Sequence, residues 1–253
     1  MATGKIMELQ LELAGFEKTV WRRIQIPSNT LMSKLAYIIM STFEMKASHL
    51  FRFDIPEKEN EAMRMSRSSY CTQEQVDDFL KNPRHEKYIK HSICEIVSEY
   101  TWDYLDPEKT IVYGAIENKI HAFLNTEDQH LLFEYDFGDG WEITITYVRE
   151  FSDKEIPSHF LPRITDGRGY GIIEDVGGIH GLTEFVQAYK EKQGERYDEY
   201  RNWSGFKTFN FEKLDIHEAN FRLQKIPKIY AAIYEKRKYP TNKQIDFLER
   251  KYN

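Results

Sequence analysis

Residues 131–149 read LLFEYDFGDGWEITITYVR, and the reading of this stretch decides the fold. Two β-rich runs flank the turn Phe137-Gly138-Asp139-Gly140. After the turn, Trp141, Ile143, Ile145 and Tyr147 alternate with Glu142, Thr144 and Thr146. A period of two is what a strand with one buried face requires. Asp139-Gly140 supplies the turn, because glycine enters the positive-φ region without a Cβ penalty. The stretch is a β-hairpin at mid-chain.

Working outward, residues 6–13 repeat the pattern, with Met7, Leu9, Leu11 and Leu13 set against Glu8, Gln10 and Glu12. Residues 20–26 form a second strand, with Val20, Ile24 and Ile26 on one face and Trp21, Arg23 and Gln25 on the other. Arg22 falls on the apolar face, against the pattern. Ser28, Asn29 and Thr30 offer caps for a helix over 31–45, and residues 49–55 return to strand. Thr72 and Gln75 have capping-box spacing for a short helix. Ile89, Ile93, Ile96, Val97 and Tyr100 make a helical stripe. Residues 157–181 hold six of the thirteen glycines and read as a long loop wrapped over the sheet's edge or mouth. Helices follow at 183–192 and 216–224, the latter capped by Asp215, with a short one at 243–251.

Strands and helices lack the regular alternation of a parallel sheet. The pattern predicts an α+β fold, with a mainly antiparallel twisted sheet and helices packed chiefly on one face. It places a single domain at residues 1–225 and a basic, aromatic, partly helical extension at 226–253.

At 253 residues, 41% hydrophobic and 14% aromatic, the chain has material for a sizeable core. A net charge of −6 argues against nucleic-acid binding over the whole surface, though not against a local patch. Cys71 and Cys94 are too few for a disulfide framework. The start MATGKIMELQ lacks the apolar core of a signal peptide, and no apolar run reaches membrane-span length. A cytoplasmic protein with no membrane partner is the expectation.

Several ordered motifs carry a resemblance. They are Val20-Trp21-Arg22-Arg23-Ile24, His49-Leu50-x-x-Phe53, Tyr135-Asp136-Phe137-Gly138-Asp139-Gly140-Trp141-Glu142, Pro162-Arg163-x-x-Asp166-Gly167, Glu174-Asp175-x-Gly177-Gly178 and Phe211-x-x-x-Asp215-x-x-Glu218-x-Asn220-x-x-Leu223. Together they resemble the plasmid pRiA4b ORF-3-like family across about residues 5–225, with 57–72 and 98–118 looking like insertions. The resemblance implies a single α+β domain and an association with plasmids and mobile elements, and it assigns no biochemical activity. Cysteines common in that family's glycine-rich segment are replaced here by Ile164, Gly171 and Val176. A metal or redox role resting on them is absent from this chain.

The residues themselves offer two chemistries. Asp136, Asp139 and Glu142 crowd one turn, and Asp166, Glu174 and Asp175 follow in the glycine-rich segment. Such carboxylates, with His49 or His180 as base, are hard-cation ligands for a metal-assisted hydrolase or nuclease. The plainer reading has them capping turns and accepting backbone N–H bonds. Trp21, Arg22, Arg23 and Trp141 instead suggest an aromatic and arginine surface for a nucleic acid or protein partner. The plainer reading there is a sheet with arginines snorkelling at its edge. No nucleophile–base pair, established metal spacing or cofactor motif is present, so a non-enzymatic binding or accessory protein ranks first and the carboxylate-based enzyme second.

Overall fold

A computed structural model describes residues 4–68, 70–82, 90–94, 110–127 and 129–250. The centre is the predicted hairpin, β6 (His130–Tyr135) and β7 (Trp141–Phe151). Strands β1 (Ile6–Leu13), β2 (Trp21–Pro27), β3 (Phe51–Ile55), β4 (Lys90–Cys94), β5 (Thr110–Gly114) and β8 (Arg163–Arg168) complete one sheet, in the order β5-β4-β3-β6-β7-β1-β2-β8. Every pairing is antiparallel except β4 with β5.

Register explains the core. Phe133 stands opposite Ile143, Leu11 opposite Ile145, and Leu9 opposite Ile24, all fully buried. On this face lies α1 (Met32–Thr42), with α6 (Ile216–Leu223) and α7 (Ile226–Lys236) packed against it. Helices α2 (Glu57–Arg67) and α3 (Gln73–Lys81) follow β3, α4 (Gly178–Glu191) and α5 (Glu195–Ser204) follow β8, and α8 (Asn242–Leu248) ends the chain. The fold is α+β.

The opposite face carries a polar ladder across four strands. Arg163 Nε donates to Gln25 Oε1 at 2.8 Å, Gln25 Nε2 to Glu8 Oε2 at 2.7 Å, and Arg149 reaches the same Glu8 oxygen at 3.2 Å. Cross-strand pairs of this kind stabilise a sheet locally. Burial tends to raise the Glu8 pKa, but the hydrogen bonds from Gln25 and Arg149 and the charges of Arg149 and Arg23 outweigh it, so the carboxyl lies below its ordinary value.

Several expectations are corrected. Residues 90–94 are strand where a helical stripe was expected; the rest of that stripe lies outside the described residues. An isoleucine spacing of four fits either structure when pairing across strands is out of view. Residues 163–168 form edge strand β8 and α4 starts at Gly178, so the glycine-rich segment is not one long loop. The outer edge of β8 is sealed by Asn220 on α6, which accepts from Ile164 N–H at 2.8 Å and donates to Ile164 C=O at 2.9 Å. The α1 N-cap is Leu31 without a side-chain cap; the amides of Met32 and Ser33 donate instead to the carbonyls of Asn118 and Ala115. The capping box of Thr72 and Asp215's cap of α6 form as the sequence suggests.

Candidate metal centre

The hairpin turn and the α4 start meet. Gly177 and Gly178 have φ of +90° and +65°, and a Cβ on Gly178 would stand 2.3 Å from the carbonyl oxygen of Asp139. Only a glycine lets the turn come this close. The approach sets Glu174-Asp175, in the segment between β8 and α4, beside Asp136, the first residue after β6.

Into this junction reaches His49, from the segment joining α1 to β3. Its Nε2 is 3.5 Å from Asp136 Oδ2, 3.5 Å from Glu174 Oε2 and 3.9 Å from Asp175 Oδ1. Ligand atoms of His49, Glu174 and Asp175 all lie within 4.8 Å of one another. Around an ion at roughly 2.1 Å from each donor, adjacent ligands sit about 3 Å apart and opposite ones about 4 Å, so the spacing suits one cation after a small contraction. The cluster is open on one side: the Glu174 side chain is 3% exposed, that of Asp175 75%.

Each acid is held differently. Glu174 Oε1 accepts from Tyr135 Oη at 2.8 Å and Lys46 N–H at 2.6 Å, while Oε2 accepts from Ser48 Oγ at 3.1 Å and faces His49. Burial, reinforced by the Glu174 charge, pushes the Tyr135 pKa far up, so the phenol stays protonated and donates. Asp136 Oδ1 accepts from Gly138 N–H at 3.1 Å and approaches Asp139 N–H at 3.5 Å, leaving Oδ2 toward the imidazole. The turn is thus built on the Asp136 side chain, with positive φ at Asp136 (+56°) and Gly140 (+65°), not at Asp139. Asp175 also has positive φ (+61°), as do Glu44 (+63°) and Ala47 (+59°) in the segment leading to His49. Non-glycine residues in this region cost energy and concentrate where geometry is functionally constrained.

Of the acids and histidines singled out from sequence, His49, Asp136, Glu174 and Asp175 converge. Asp139 lies in the turn, with its Oδ2 buried and no hydrogen-bond partner among the described residues. Asp166 is exposed on β8, its Oδ1 accepting the Gly167 amide, and is not in the cluster. His180 lies on the exposed side of α4 and is also outside it. Tyr135, Ser48 and the Lys46 amide, which fix Glu174, were not anticipated; the one signal was a hydroxyl at the inward-facing end of the Leu131, Phe133, Tyr135 row.

The arginine and tryptophan set divides. Arg22 is fully buried, and its guanidinium donates to the carbonyls of Thr42, Trp21, Arg168 and Tyr170. It ties the C-terminal end of α1 to β8, which explains a cation on an apolar face. Trp141 is 1% exposed and faces the core. Neither offers a binding surface. Trp21 is half-buried, and Arg23 donates to Gln10 in the polar ladder.

With this geometry in view, the relatives can be placed. The family model for the plasmid pRiA4b ORF-3-like protein matches residues 5–218, and the chain belongs to that family. It is 22% identical over 217 residues to uncharacterized protein y4hQ of Sinorhizobium fredii, covering 86% of this chain and 90% of the relative. Its fold is similar to the crystal structure of a protein of unknown function, MM3350, from Methanosarcina mazei Go1, with a TM-score of 0.61 and 21% identity over 85% of this chain and 98% of the other. No helix among the described residues is long and apolar enough to cross a membrane.

Proposed function

We propose that this protein binds one divalent cation through His49, Glu174 and Asp175 and uses it for hydrolysis, the reading ranked second from sequence. The observation that carries it is the convergence of one imidazole and three carboxylates from three separate segments on a partly open site. A bound cation polarises an ester and lowers the pKa of a coordinated water. Asp136, whose Oδ2 is 3.5 Å from His49 Nε2 and outside the ligand set, would be the base that takes that water's proton. With the ion held by His49, Glu174 and Asp175, attack of that water on the ester would release the alcohol, and Asp136 would return the proton to the departing oxygen. A binding surface around Trp21 and Arg23 is supported less, because Arg22 and Trp141 are buried and Arg23 is already engaged.

The test is release of p-nitrophenolate from acetate and phosphate esters with Mg²⁺, Mn²⁺ or Zn²⁺. Metal-dependent turnover, lost in Asp136→Asn while metal binding persists, supports the reading. No turnover with any of the three ions on either ester would contradict hydrolysis.

A further inference from the structure

A groove of about 290 Å³ opens beside Glu174 and Asp175 and runs along Tyr170, Phe206 and Trp203. Its size is near the lower end for small-molecule sites. It continues into two further depressions that share Glu44, Tyr170 and Phe206 with it, one of about 360 Å³ beneath α8 and one of about 310 Å³ beside Phe209 and Lys213.

Two features of the groove need an explanation. Trp203, near the end of α5, is 51% exposed, and the ring centroids of Phe185 and Tyr200 stand 6.4 Å from its own, in edge-on contact. An indole fixed along one side and open on another is a stacking platform. Lys46 lines the same groove with an exposed side chain, while its backbone amide is fixed on Glu174. No ion-pair partner of Lys46 is found among the described residues. Elsewhere in the trough Arg250 bonds Glu44 and Glu218 at 2.7 Å each, and Asp215 caps α6.

Resting on the cation reading above, we infer that the groove binds a nucleoside phosphate. The phosphate lies between the cation and Lys46, and the base stacks on Trp203. A planar aromatic group joined to an anion matches the Trp203 platform and the Lys46 ammonium that line the groove beside Glu174 and Asp175. The aromatic lining gives base-tolerant stacking, which needs no base-specific hydrogen bonds.

Isothermal titration of the full chain with a nucleoside monophosphate, with and without Mn²⁺, tests this. The same titration with the bare nucleoside and with inorganic phosphate resolves the two halves. The expected result is nucleotide binding at least tenfold tighter than either fragment, weakened tenfold or more by Trp203→Ala and by Lys46→Met, with Mn²⁺ affinity unchanged in both variants. Mn²⁺ binding without nucleotide binding overturns the groove assignment alone. Nucleotide binding that Trp203→Ala leaves unchanged, or phosphate binding as tight as the nucleotide, also overturns it. Nucleotide binding lost in Trp203→Ala but accompanied by no Mn²⁺ binding upholds the groove and overturns the metal reading.

Discussion

Gly178 sits directly beneath the carbonyl of Asp139, where an added Cβ would stand 2.3 Å from that oxygen. This one contact joins the hairpin turn to the first residue of α4 and so fixes Asp136 relative to Glu174 and Asp175. Gly178→Ala meets both a backbone clash and a positive φ. It is expected to destabilise the protein by about 2–4 kcal/mol, or roughly 4–16 °C in Tm at this chain length. Gly205→Ala, also at positive φ but with nothing within 4 Å of its added Cβ, should cost only about 1 kcal/mol. Thermal melts of the two variants check the difference; equal losses would mean the close approach is not real.

Tyr135→Phe removes the phenol that donates to Glu174 Oε1 but keeps the buried ring. The carboxylate keeps the Lys46 amide, so the fold survives. Metal affinity should fall about tenfold, the usual effect of losing a hydrogen bond that orients a ligand. Competition of wild type and variant for Mn²⁺ against a chelating dye measures it.

Asn220 closes the exposed edge of β8 through both amide atoms. Asn220→Leu leaves the Ile164 N–H and C=O without these partners and is expected to cost about 2 kcal/mol. It also presents a free strand edge, so soluble aggregates should increase on storage. Urea denaturation and size-exclusion chromatography read the two effects separately.

The hairpin was legible because its alternation is strict and its turn is rich in glycine. Strand β8 was not, because Gly167, Gly169 and the charged residues around them resemble a loop, and only pairing with β2 makes the segment a strand. Arg22 was visible as a conflict with its strand, but the four carbonyls that resolve it come from α1, β2, β8 and Tyr170, which no local pattern connects. His49, Asp136, Glu174 and Asp175 could each be named from sequence. Their meeting could not, since His49 and Glu174 are brought together only by the sheet order and the approach of Gly178 to Asp139.

The polar ladder makes stability depend on pH through Glu8. Its folded pKa lies below the ordinary carboxyl value of 4.5. The contribution is therefore present in full above that value and is lost as pH falls through the lower folded one. Urea midpoints for wild type and Glu8→Gln should differ at pH 7 and converge as pH falls through the lowered folded value. A constant difference at every pH would mean Glu8 acts through packing and not through its charge.

The central claim is the cation site, and Mn²⁺ binding to wild type, Asp175→Asn and His49→Ala tests it most directly. Asp175 is largely exposed, so its variant should fold normally. The account predicts one ion per chain in the wild type, with at least about tenfold weaker binding in each variant. Saturation at a hundredfold excess over Kd should stabilise wild type by about 2.7 kcal/mol. No stoichiometric binding to the wild type, or equal affinity in all three proteins, would contradict it.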